Sequence, residues 1–94
     1  MESDVERVKR KRELLRHKIE IKKHKNKKVR HFKGQEYLIE DFAQHTETGE
    51  TLVIYRALYG NCKVYARPLD MFASEVDKVK YPNATQRFRM ELIY

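Results

Sequence analysis

The sequence predicts a mainly β fold, a small five-stranded barrel carried behind a long basic helix. Three observations lead there. Residues 1–33 hold 14 Lys/Arg against five Asp/Glu, whereas residues 34–94 hold seven against nine. No Gly or Pro interrupts the first segment before Gly34. From Val29 onward the pattern changes to short stretches of alternating apolar and polar residues, with a glycine at each turn. The expected organisation is a basic helical extension, 1–28, and a barrel domain, 29–94.

The helix is expected over residues 3–25. Ser3 suits the N-cap, Asp4 and Glu6 fall in the first turn, and Glu6 completes a capping box. A heptad frame places Val5, Arg12 and Ile19 at a, and Val8, Leu15 and Lys22 at d. The e positions are then Lys9, Arg16 and Lys23, and the g positions Lys11, Lys18 and Lys25. Every flank is cationic, so a homotypic coiled coil is disfavoured in either orientation. Leu14 and Ile21, at c, make a second apolar spot. Such a helix has one side for its own domain and another for a partner. Dense Lys/Arg is how phosphate backbones are held. Lys9, Arg10, Lys11, Arg16, Lys18, Lys22, Lys23 and Lys25 are therefore candidate contacts to nucleic acid or a ribonucleoprotein, with an acidic protein as the other partner class and a solvated charged extension as the plain alternative.

In the body, Val29–Phe32 is expected as a first strand, turned at Lys33-Gly34. Tyr37–His45 follows, with a bulge at Glu40-Asp41 where the alternation slips. Thr48-Gly49 turns the chain into Thr51–Leu58, whose apolar residues lie on both faces and suit a central strand. Gly60-Asn61 signals a two-residue hairpin into Lys63–Arg67, closed by Pro68. Asp70 is expected to cap a helical turn, 71–76. A last strand, Arg87–Ile93, turns Phe88, Met90 and Leu92 inward and Arg87, Arg89 and Glu91 outward. Five short strands with a helical turn before the last suggest an SH3-like barrel. The expected core is Phe32, Tyr37, Ile39, Phe42, Val53, Ile54, Leu58, Val64, Leu69, Met71, Phe72, Phe88, Met90 and Leu92.

Composition excludes several classes. No apolar run approaches the ~20 residues of a membrane helix, and the first residues lack the apolar centre of a secretory signal. A single cysteine, Cys62, makes neither an internal disulfide nor a Cys-rich zinc site. His17, His24 and His31 recur every seven residues, too far apart along a helix for one metal ion. The expectation is a cytoplasmic protein with no metal, no cofactor and no membrane partner. No phosphate loop or defensible acid–base pair marks a catalyst, so a non-enzymatic binding module is expected.

Several strings in order carry a resemblance: Arg30-His31-Phe32-Lys33-Gly34, Tyr37, His45-Thr46-Glu47-Thr48, Val53 through Gly60 (VIYRALYG), and Arg67-Pro68-Leu69-Asp70-Met71-Phe72. Together they resemble a small bacterial family, domain of unknown function 1653, from about Val29 to Val76 and more weakly to residue 90. The resemblance implies a compact β-barrel of unassigned activity and no catalytic residues. The chain departs from it in two ways: Tyr65 stands where members often have Trp, and many members lack a long basic helix.

The polar and aromatic residues within those strings, His31, His45, Glu47, Tyr55, Tyr59, Arg67 and Asp70, have two readings. As a ligand rim, Arg67 binds a small anion, the histidines hydrogen-bond it and a tyrosine stacks on it, making a small-molecule or nucleotide sensor. As local structure, Asp70 caps a turn, Glu47 and Thr48 shape a hairpin, Arg67 pairs with Glu47 or Asp70, and Tyr55 packs in the core.

Overall fold

The computed structural model describes residues 2–94. Helix α1 runs Asp4–Lys22. Ser3 is extended, and its hydroxyl accepts the Glu6 N–H at 3.1 Å, the expected N-cap. At the other end Asn26 adopts a positive φ of 66° and donates its N–H to the Ile39 carbonyl at 2.7 Å, which ties the exit from the helix to the sheet.

Five strands follow: β1 (Lys28–His31), β2 (Glu36–Gln44), β3 (Thr51–Ala57), β4 (Val64–Pro68) and β5 (Met90–Leu92). All pairings are antiparallel, and the sheet order is β4-β3-β2-β1-β5. The sheet is open: β4 and β5 are its edges and share no ladder, so the hydrogen bonding does not close it into a barrel. The bulge falls where the alternation slips, the register stepping from Ile39↔Tyr55 to Asp41↔Ile54. That step keeps both Ile39 and Phe42 on the core face and sends Glu40 to Arg56, 3.1 Å away. Gly34 sits at φ 106° in the β1–β2 turn, a conformation that a side chain would strain.

Three boundaries differ from expectation. The connection from β3 to β4 takes residues 58–63, and Gly60 and Cys62 both have positive φ, so it is longer than a two-residue turn. Helix α2 is Leu69–Phe72, earlier than the expected 71–76. Pro68, with no N–H to leave unpaired and φ already fixed at −54°, starts it, and no side chain caps it; Asp70 lies inside the helix. The final strand shrinks to three residues, with Phe88 reduced to a single bridge to Glu75.

Paired residues in a sheet point to one face, so Val29, Tyr37, Ile39, Tyr55 and Val53 project together. The buried cluster is Ile21, Val29, Ile39, Val53, Tyr55, Phe72, Ala73 and Met90. Leu58, Val64 and Met71 are exposed rather than buried: Leu58 lies beyond β3, Val64 on the outer face of an edge strand, and Met71 on the solvent side of α2. Phe32 and Ile54 are half-buried.

Val29, Tyr55 and Ala73 join the core from outside the expected list, and so does Ile21, 0% exposed, from the helix. A division at residue 28 therefore passes through the core. The helix docks by the c side and not by its a/d stripe. The His17 ring stacks on Phe88 (3.9 Å between centroids, 10° between planes) and its Nε2–H donates to the Met90 carbonyl at 2.8 Å. Glu13 pairs with Arg87, which also reaches Glu75 at 3.5 Å; Lys18 pairs with Asp70 at 2.9 Å and Lys25 with Asp41 at 3.4 Å.

Candidate functional site

Docking sorts the cations of α1 and of the residues just after it into two sets. Of the eight expected contacts, Arg10 meets Glu2 and Glu75, Lys18 meets Asp70, and Lys25 meets Asp41. Among the described residues, Lys9, Lys11, Arg16, Lys22 and Lys23 have no carboxylate within 4.0 Å, and Arg12 joins them. These six alternate with Val5, Val8, Leu15 and Ile19, which are 78%, 49%, 57% and 44% exposed. A concavity of about 600 Å³ along this strip is lined by α1 alone, including Val5, Val8, Lys9, Arg12 and Arg16, so it is open surface. It suits an extended partner better than an engulfed one.

The seven rim candidates do not gather in one place. His45 and Glu47 occupy the β2–β3 turn, where the His45 Nδ1 accepts the N–H groups of Glu47 (3.1 Å) and Thr48 (3.3 Å). Tyr59 lies past the other end of β3, its hydroxyl 2.7 Å from that of Tyr37. Asp70 faces α1 through Lys18. Tyr55 is buried against Tyr37, Tyr65 and Phe72. Burial raises the Tyr55 hydroxyl above the ordinary tyrosine value, and the nearby Arg67 guanidinium partly offsets that. Burial likewise raises the Tyr37 hydroxyl, reinforced by its bond to Tyr59.

His31 and Arg67 do come into electrostatic reach. The His31 Nδ1 accepts the Lys33 N–H at 3.1 Å, which leaves the neutral ring its proton on Nε2. Burial pushes the His31 pKa below the ordinary histidine value, and the charges of Arg89, Lys33 and Arg67 add to it. Arg67 pairs with neither Glu47 nor Asp70. Three further residues that the sequence did not single out, Lys80, Tyr81 and Arg89, line a recess beside His31. Lys80 and Tyr81 sit in an irregular loop with no periodicity to flag them. Arg89 was hidden by the alternation, which assigned it to solvent; it is half-buried.

His17, His24 and His31 have separate surroundings: His17 lies on Phe88, His24 Nδ1 meets the Glu20 carbonyl, and His31 closes β1. No helix among the described residues is long and apolar enough to cross a membrane.

The sequence matches a known family model, described as a protein of unknown function (DUF1653), over residues 27–90. The chain belongs to this family. No curated protein and no solved structure matches it. The DUF1653 match starts at Lys27, after α1, and takes in every strand but the last two residues of β5. Ile21 and His17 thus complete, from outside the matched span, a core whose other members lie within it.

Proposed function

We propose that the protein is a non-enzymatic binding module whose outward α1 face follows the phosphate backbone of a nucleic acid or ribonucleoprotein. The observation that carries this is the sorting of charge: the inward cations are paired with the body's own acids, while Lys9, Lys11, Arg12, Arg16, Lys22 and Lys23 face solvent without one. Lysine and arginine left unpaired along one rigid helix place positive charge at the regular intervals a polyanion offers. An SH3-like reading of the sheet accompanies this. Its support is the last strand returning beside the first after a helical turn, and the reach of Arg67's charge to His31 across the two strands between them. Cys62, a free exposed thiol, fits the reducing cytoplasm.

Six phosphate contacts should make log K fall with log salt at a slope of about −4 to −5. Changing Lys9, Arg16 and Lys23 to Gln should flatten that slope by roughly two to three units, and changing Lys18 and Lys25 should do less. Anisotropy titrations of labelled single-stranded and duplex oligonucleotides at several salt concentrations measure this. Absence of binding at low salt rejects the proposal.

The exposed Val5, Val8, Leu15 and Ile19 favour a second reading, an acidic amphipathic helix laid on the same strip. Leu15→Ser separates the two: it leaves a phosphate-backbone complex intact and weakens a helix–helix one.

A further inference from the structure

A recess of about 270 Å³ opens where the β1–β2 turn meets the loop before β5. Its walls include His31, Phe32, Lys33, Lys80, Tyr81 and Arg89. An adjoining hollow of about 340 Å³ shares Phe32, Lys33, Lys80 and Tyr81 and continues to Pro82 and Ala84. The first is close to, and the second just above, the size at which small-molecule sites begin, about 300 Å³.

The charge inside is one-sided. Among the described residues, Lys33, Lys80 and Arg89, which line the recess, have no carboxylate within 4.0 Å. The recess has one acid, Asp77, and its Oδ1 is engaged by the N–H groups of Val79 (3.0 Å) and Lys80 (3.2 Å). The Nε of Arg89 is buried with no hydrogen-bond partner at all. Donors without acceptors are costly in a folded protein.

The donors are also held in place. Lys33 Nζ lies 5.2 Å from the Tyr81 ring centre and 5.8 Å from that of Phe32, and Lys80 Nζ lies 5.5 Å from Tyr81. Phe32 packs edge-on to Tyr81 at 4.9 Å. The loop bearing Tyr81 is pinned by Lys78, whose ammonium donates to the carbonyls of Ala84 (2.5 Å) and Gln86 (2.9 Å). Two ammonium groups gathered at one ring repel each other, and an anion between them offsets the repulsion. Burial acts to raise the Tyr81 hydroxyl, but the charges of Lys33 and Lys80 outweigh it and hold it below the ordinary tyrosine value. His31, with its proton on Nε2, adds a neutral donor.

We propose that this recess binds the phosphate of a small phosphorylated molecule, with Lys33, Lys80 and Arg89 as its charged donors, His31 as a neutral one, and Phe32 and Tyr81 as an aromatic wall for the organic part. The site is separate from the outward face of α1 and does not depend on it. A phosphate monoester fits better than a carboxylate because four donor side chains line one recess and phosphate offers more acceptor oxygens.

Amide chemical-shift titrations of the full chain with inorganic phosphate, AMP and adenosine test this. Phosphate and AMP should perturb Phe32, Gly34 and Tyr81, AMP more tightly, and adenosine should not. Lys33 and Lys80 are exposed, so the double variant Lys33→Gln/Lys80→Gln should fold and bind AMP about tenfold or more weakly, roughly 1.4 kcal/mol per tenfold. Lys9→Gln/Lys23→Gln should leave AMP binding unchanged. The proposal is overturned by no perturbation up to about 10 mM, a concentration that reaches even weak sites. Shifts centred on α1, equal binding of adenosine, or an unaffected Lys33/Lys80 variant also overturn it. Binding only of a 5′-phosphorylated oligonucleotide overturns the small-molecule assignment.

Discussion

The two faces of α1 differ in a way their compositions do not suggest. The outward face carries Val5, Val8, Leu15 and Ile19, and the inward face carries Glu13, Leu14, His17, Lys18 and Ile21. By count the outward face is the more apolar, yet the inward one docks. Its few apolar atoms are matched: Ile21 enters the core, His17 covers Phe88, and Glu13 and Lys18 find Arg87 and Asp70. Burial follows complementarity with the surface on offer, and a stripe that finds no such surface stays in water.

The largest expected effect sharpens that contrast. Ile21→Ala should cost about 2–5 kcal/mol, the range for truncating a buried aliphatic, while Leu15→Ala should stay within about 0.5 kcal/mol. Denaturant unfolding of the two variants measures it, and equal midpoints would mean that the inward face is not the docking face.

A smaller effect concerns His17. Burial pushes its pKa below the ordinary value of 6.5, against the opposing bond to the Met90 carbonyl and the charge of Glu91. The unfolded chain therefore binds the proton more readily than the folded one. Stability from this group is full above about pH 6.5 and is lost as pH falls from there toward the folded pKa. Melting temperatures should decline over that acid window. His17→Gln, which keeps a donor for the carbonyl, should reduce the decline and leave the part due to His31, whose pKa is lowered in the same direction. An unchanged profile in His17→Gln would separate the docking contact from the titration.

The smallest effect is the pair Lys18–Asp70, whose carboxylate is 80% exposed. A double-mutant cycle should give a coupling of about 0.2–1 kcal/mol. A value well above that would mean that ion pairs, rather than Ile21 and His17, hold the helix down.

Much of the fold was legible along the chain. Ser3 as a cap, the slip at Glu40 and the turn glycines each depend on neighbours within a few residues, and each appears where the sequence predicts it. The candidate sites were less legible. His31, His45 and Arg67 stand out as residue types, but whether they meet depends on which ends of the strands the turns leave adjacent. Lys80, Tyr81 and Arg89 join His31 only because an irregular loop folds back over the β1–β2 turn.

The sequence by itself determined the strand content, the bulge, the helix start and the division of charge between the two halves, because backbone geometry and charge are properties of local residue types. Tertiary structure alone decided which side of α1 is inside, that Ile21 belongs to the core while Leu15 does not, and that Arg89 loses its place in solvent. Those outcomes depend on the shape of a surface assembled from β1, β5 and α2, and no periodicity within a single segment contains that shape.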